Sequence, residues 1–142
     1  MTAIRKETLV EPIKLFAIIS WVLLPTVMFG RYSLLKLKRD QNTWLTAFRE
    51  SHFRAGHAHA GVLLILSLVY YLFLGQTSFP AIAKIIASLL FLLGILAQSG
   101  GFFITMLSDK PGAASPGHLV SGAGAILLAI SSLLVAFGLI TV

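Results

Sequence analysis

The sequence predicts an all-α polytopic membrane protein, a single domain built as an up-and-down bundle of four transmembrane helices over residues 1–142. Hydrophobic residues make up 57% of the chain and charged residues only 11%, whereas charged residues make up about a quarter of soluble domains. Four long apolar segments alternate with short polar, glycine- or proline-containing stretches. Each segment has about the length that a bilayer-spanning helix requires.

The first predicted span covers residues 13–30 and contains Pro25, which we expect to kink the helix or leave a carbonyl unpaired. Residues 31–53 then form a basic polar connection. Within it, Asn42 or Thr43 is a candidate cap for a short amphipathic helix at the membrane interface that leads into the second span. A solvated loop anchored by Trp44 fits the same composition equally well.

The second predicted span covers residues 55–74, with Tyr70 and Tyr71 at the far interface. The third covers residues 80–107, with Pro80 at its first helical position. After a turn at residues 108–112, Ser115 and Pro116 are predicted to cap the fourth helix, whose span covers residues 117–142. Alternating helix directions place the starts of helices two and four and the end of helix three on one side of the membrane.

Basic residues indicate the orientation of the bundle. Loops one and three hold seven of the eleven Lys and Arg residues, and the opposite side holds four. The positive-inside rule therefore predicts that loops one and three lie in the cytoplasm, with both chain ends outside, in a bacterial inner membrane. The net charge of +6 indicates contact with anionic lipid and no nucleic-acid partner.

The polar residues limit which cofactors, metal ions and functions this chain can support. The absence of cysteine excludes disulfides, iron–sulfur clusters and thiolate-ligated haem. All five carboxylates lie outside the predicted spans, which disfavours a proton- or cation-coupled transporter. Imidazole without carboxylate or thiolate suits haem iron, zinc or copper. The chain has four histidines: His52, His57, His59 and His118.

Helix geometry limits which histidines share a site. His57 and His59 are separated by about 200° around a helix, so they cannot both face one ligand. His59 lies one turn before Leu63 in the apolar run and is the predicted metal ligand. A five-coordinate haem on His59 and a bis-histidine haem on His59 and His118 both remain open. Ala55 and Gly56 are predicted to accept a flat macrocycle, although such small residues also suit helix packing.

Two short motifs resemble a known group. Ala58-His59-Ala60-Gly61 at the start of helix two and Gly101-Phe102-Phe103 at the end of helix three are similar to segments of styrene oxide isomerase and the hydroxylaminobenzene mutases. The resemblance implies a small four-helix membrane protein, a trimer with ferric haem b between subunits and one histidine on the iron. It implies that His59 is the axial ligand and that Gly101 lies at the cofactor.

The resemblance also implies a reaction, in which the open iron position acts as a Lewis acid on an epoxide oxygen and a 1,2-shift produces an aldehyde. The family's asparagine six residues after the histidine is Ile65 here, and its tyrosine after Gly-Phe is Phe103. The candidate catalytic hydrogen-bonding residues are then Gln98, Ser99 and Ser121.

The leading hypothesis is a homo-oligomeric, haem b-dependent membrane isomerase that acts on a small apolar epoxide-like substrate. Two alternatives stay open. One is a haem- or quinone-binding electron-transfer subunit that uses His59 and His118. The other is a non-catalytic membrane partner protein, in which the histidines are interfacial and the glycines pack helices.

Overall fold

The computed structural model describes residues 12–108 and 115–141. These residues form four α-helices and no strand. The helices are α1 (Pro12–Arg39), α2 (Ala47–Gln76), α3 (Ala81–Met106) and α4 (Pro116–Ile140). Each is long and apolar enough to cross a membrane. The structure thereby confirms the predicted all-α class with four membrane-span-like helices, as expected of an integral membrane protein.

The connection between the first two helices is shorter than the polar stretch predicts. Helix α1 continues past Gly30 to Arg39, and α2 begins at Ala47, so only residues 40–46 lie between them. Apolar side chains mark the part of a helix that lies in the hydrocarbon of the bilayer. The helix itself is formed by backbone hydrogen bonds, which can continue into the headgroup region. The basic residues of the last turn of α1 also favour this extension through the helix dipole; they are Lys36, Lys38 and Arg39.

The cap of α2 differs from the predicted one. Thr46 is the N-cap, and its hydroxyl accepts a hydrogen bond from the Arg49 amide at 3.3 Å. The Asn42 side chain instead accepts from the Trp44 amide at 2.9 Å, inside the connection. The short amphipathic helix predicted to lead into the second span is continuous with it and forms the first turns of α2.

The other predicted helix ends are close to those observed. Ser115 caps α4, because its hydroxyl accepts from the Gly117 amide at 3.2 Å and Pro116 follows at the first helical position. Pro80 is the N-cap of α3 and not its first helical residue. Pro25 lies inside α1 without ending it. Most of the turn predicted at residues 108–112 lies outside the described residues.

Helices α2 and α3 form the middle of the bundle. Helix α1 packs against both of them, and α4 packs extensively against α3 and less against α2. The described parts of α1 and α4 do not touch each other. Consecutive helices are therefore neighbours, as in an up-and-down bundle with short connections.

Tyr70 and Tyr71 are buried in the helix bundle, at 7% and 2% exposure, whereas the sequence predicts them at the interface. The Tyr70 hydroxyl lies 3.1 Å from the Ala87 carbonyl oxygen and 3.4 Å from that of Ser131, and donates to one at a time. Its ring stacks on Phe91 with centroids 3.9 Å apart. Tyr70 thus joins α2, α3 and α4, because a buried hydroxyl needs an acceptor that the neighbouring helices supply.

Glycines bring α3 and α4 together. A Cβ at Gly124 would lie 2.8 Å from the Gln98 Cα, and a Cβ at Gly94 would lie 2.8 Å from the Leu128 Cγ. A side chain at Gly124 would hold the two backbones apart, whereas one at Gly94 would press on the Leu128 side chain. Small residues at helix interfaces are the usual means by which membrane helices approach closely.

Candidate functional site

The first half of α2 directs its histidines to different neighbours. His57 faces α1, since a Cβ at Gly30 would lie 3.0 Å from the His57 Cε1 atom. His59 faces α3, with its ring centroid 4.8 Å from that of Phe102. The predicted divergence of the two side chains is confirmed, and it follows from their separation of about 200° around the helix.

The His59 imidazole is held by its own helix. Its Nδ1 lies 2.8 Å from the Ala55 carbonyl oxygen. A carbonyl only accepts, so Nδ1 carries the hydrogen, and in the neutral ring Nε2 then presents a lone pair. Metal-binding histidines are oriented in this way. Ala55, predicted to bind the cofactor through its small size, thus contributes a carbonyl that orients His59.

His52 makes the same kind of local hydrogen bond, since its Nδ1 lies 3.0 Å from the Phe48 carbonyl oxygen. Its ring packs on Phe48 of the same helix, with centroids 4.3 Å apart. It lies about 10 Å closer to the start of α2 than His59 does, given the rise of a helix. The two histidines therefore share an orientation and differ in depth and in packing against a second helix.

His118 lies in the first turn of α4, with an exposed side chain. Its pairing with His59 on one iron stays a prediction. Within the described residues, no group of three or more His, Asp or Glu side chains is placed to hold a metal ion. Haem iron does not need such a group, because the macrocycle supplies four nitrogens and the protein one or two axial ligands.

The glycines predicted to line a cofactor cleft lie in helix contacts. A Cβ at Gly56 would be 3.0 Å from the Phe102 Cβ and 3.1 Å from the Ser99 carbonyl oxygen. A Cβ at Gly101 would be 2.6 Å from the Ser121 amide nitrogen. Protein atoms therefore occupy the space beside both glycines in a single chain. Helix packing, the alternative role of these residues, accounts for both Gly56 and Gly101. That a cofactor lies beside these glycines stays a prediction.

The three candidate catalytic residues do not converge on one cavity within the chain. The Ser121 hydroxyl donates to the backbone carbonyl of Gln98 at 2.9 Å, between α3 and α4. Ser99 lies on another side of α3, is 5% exposed, and its hydroxyl has no hydrogen-bond partner among the described residues. It lines an apolar cavity of about 210 Å³ between α1, α2 and α3, together with residues such as Val27 and Ala60.

Comparisons of the chain with protein-family models, with curated proteins and with solved structures found no match. The chemistry of the chain's own residues is therefore the basis for inferring function.

A larger cavity, of about 460 Å³, lies between the end of α1 and the start of α2. We call it the α1–α2 crevice. The crevice is not predicted when residues 31–53 are interpreted as a loop, because it exists only if α1 continues as a helix beyond Gly30. The available signal was the spacing of Arg31, Leu34, Leu35 and Lys38, which places them on one face of such a helix. The crevice is lined by Arg31, Leu34, Leu35, Lys38, Glu50, Phe53, Arg54, His57 and Ala58.

Proposed function

We propose that this protein is a homo-oligomeric, membrane-embedded isomerase that binds haem b through His59 and converts a small apolar epoxide-like substrate into a carbonyl product. The single observation that carries the proposal is the hydrogen bond from His59 Nδ1 to the Ala55 carbonyl at 2.8 Å. It holds the ring in place and leaves Nε2 for iron. We further propose a bacterial inner-membrane location with loops one and three in the cytoplasm.

The residues around His59 suit a single-histidine site. The ring is half buried and packs on Phe102 of α3, so its orientation is fixed from both its own helix and a neighbour. The motif resemblance adds a trimer with the cofactor between subunits, which would place the second wall of the site on another chain. Large apolar side chains exposed on the single chain agree with burial by lipid or by another subunit; examples are Trp21, Leu119, Leu133 and Ile140.

When bound, ferric haem with an open coordination position supplies a Lewis acid that polarises an oxygen without redox turnover. The apolar bundle excludes water, which protects a reactive substrate from hydrolysis. The buried Ser99 hydroxyl has no hydrogen-bond partner among the described residues, so it would donate to a substrate oxygen that entered the apolar cavity beside it. Ser121 already donates to the Gln98 carbonyl, so its oxygen retains only its acceptor role.

The test starts from protein purified from membranes and its absorption spectrum. We expect a Soret band with a high-spin ferric spectrum, and conversion of an aryl epoxide to an aldehyde detected by gas chromatography. His59→Ala should abolish haem binding, measured as haem per chain. His52→Ala is the matched control, because that imidazole makes the same local hydrogen bond, and it should retain the haem.

Other results would reject the proposal. A preparation without a Soret band after haem supplementation would exclude a haem site and leave a non-catalytic membrane partner protein. Unchanged haem content in His59→Ala would show that His59 is not the ligand. A low-spin, reversibly reducible spectrum that becomes high-spin in His118→Ala would indicate the bis-histidine electron-transfer subunit instead.

A further inference from the structure

The α1–α2 crevice contains more positive than negative charge. Among its lining residues are three cations, Arg31, Lys38 and Arg54, and one carboxylate, Glu50. The Glu50 carboxylate lies 2.7 Å from the Lys38 ammonium and 3.7 Å from the Arg54 guanidinium. It neutralises one positive charge, and within the described residues Arg31 has no ion pair. The crevice thus retains two uncompensated cationic charges.

His57 adds a further polar group to the crevice. Its ring lies against Gly30 on one side and stacks on Phe53 at 5.8 Å between centroids. No hydrogen bond joins this imidazole to the rest of the described chain. A ring held by packing alone, beside two arginines, is available to donate to an anionic oxygen.

Apolar side chains form the rest of the lining: Leu34, Leu35, Phe53 and Ala58. The crevice therefore combines cations with hydrocarbon walls. It lies where two membrane-span-like helices end and residues 40–46 connect them. Trp44 in this connection, with the Arg49 guanidinium 4.7 Å from its ring, is typical of the headgroup level of a bilayer.

We propose that the α1–α2 crevice binds the phosphate headgroup of an anionic phospholipid, with Arg31 and Arg54 on the phosphate and the leucines and Phe53 against the first part of the acyl chains. Arginine suits this role because its planar guanidinium binds phosphate oxygens in pairs. The volume of about 460 Å³ falls within the range of small-molecule sites. A free phosphate ion would gain nothing from the apolar walls, whereas a lipid uses both parts of the lining.

This site is independent of the proposed haem site. His57 and His59 face different helices, and the crevice residues do not include His59. Failure of one proposal therefore leaves the other intact, and the midpoint of thermal unfolding without added lipid checks the fold of each variant.

The experiment measures binding of phosphatidylglycerol, phosphatidylcholine and inorganic phosphate to the full-length protein in detergent, by native mass spectrometry and by thermal shift. We expect phosphatidylglycerol to bind in preference to phosphatidylcholine, and phosphate not to compete at millimolar concentration. Arg31→Gln and Arg54→Gln should each weaken phosphatidylglycerol binding roughly tenfold, the effect of losing one charge-assisted contact.

The matched control is Arg39→Gln, since this side chain is 84% exposed and lies outside the crevice. It should leave phosphatidylglycerol affinity within about twofold, as expected of a solvent-screened charge outside the crevice lining that lies 3.7 Å from the Asp40 carboxylate. Glu50→Gln removes the one carboxylate among the described lining residues and should strengthen binding several-fold, an effect that misfolding cannot produce. Equal binding of both lipids, competition by inorganic phosphate, or an equal loss in Arg39→Gln would overturn the proposal.

Discussion

Gly101 of α3 lies against Gly117 of α4 so closely that a Cβ on either residue would meet the carbonyl oxygen of the other. Lipid is as apolar as leucine, so membrane helices associate through such close van der Waals contact and not through the hydrophobic effect. The contact belongs to the α3–α4 interface, the most extensive in the described structure. A glycine that the motif resemblance places at a cofactor thus has a structural role within the single chain.

Gly101→Ala should destabilise the bundle by about 1–3 kcal/mol, the usual cost of overpacking. Its Cβ would lie 2.6 Å from the backbone nitrogen of Ser121, which cannot move without shifting α4. The neighbouring Gly100→Ala is the control, because its Cβ would meet nothing described within 4 Å. Thermal unfolding in detergent should show a lower midpoint for the first variant and an equal or higher one for the second. Equal losses would contradict the packing role.

Gly94 and Leu128 should be energetically coupled. A Cβ at Gly94 would lie 2.8 Å from the Leu128 Cγ, a side-chain atom that a smaller residue removes. We expect Gly94→Ala to destabilise the wild-type bundle and to cost less in a Leu128→Ala background. A double-mutant cycle should return a coupling of about 0.5–3 kcal/mol. Strict additivity of the two changes would show that the contact is absent.

Tyr70→Phe should cost about 0.5–1.5 kcal/mol, the net value of one intramolecular hydrogen bond. The change removes the hydroxyl that lies 3.1 Å from the Ala87 carbonyl and keeps the ring on Phe91. Tyr32→Phe is the comparison, since Tyr32 is 67% exposed on α1. Chemical denaturation in mixed micelles should separate the two variants; a larger loss in Tyr32→Phe would argue against the inward position of Tyr70.

Gln41→Gly should stabilise the protein. Gln41 has φ of 48°, the left-handed region that glycine adopts at little cost. Its amide donates to the Lys38 carbonyl at 3.2 Å, and the Asn42 amide donates to the Leu37 carbonyl at 3.1 Å, so the residue ends α1 in a Schellman motif.

We expect a gain of up to about 1 kcal/mol in Gln41→Gly and a loss in Gln41→Val, because a β-branched residue resists this conformation. Both are measured by thermal unfolding. If valine were tolerated as well as glycine, the end of α1 would adopt a different conformation.

Some features of the site could be predicted from the sequence and others could not. The divergence of His57 and His59 follows from helix geometry alone, so the spacing of the two residues was sufficient. The hydrogen bond that orients His59 joins its ring to the Ala55 carbonyl, one helical turn away. It depends on the side-chain conformation of His59 and on no distant part of the chain. The α1–α2 crevice, in contrast, depends on how far α1 extends and on how it packs against α2.

The amino-acid sequence by itself determined the all-α class and the four apolar helices, because composition and apolar length act locally along the chain. It also determined the cap at Ser115, which involves only neighbouring residues. The tertiary structure alone decided that Gly56 and Gly101 pack against other helices and that Tyr70 points inward. A small residue permits either a ligand or a helix to approach, and an amphipathic ring suits either an interface or a polar core. The identity of the neighbour, which is distant in sequence, decides between these roles.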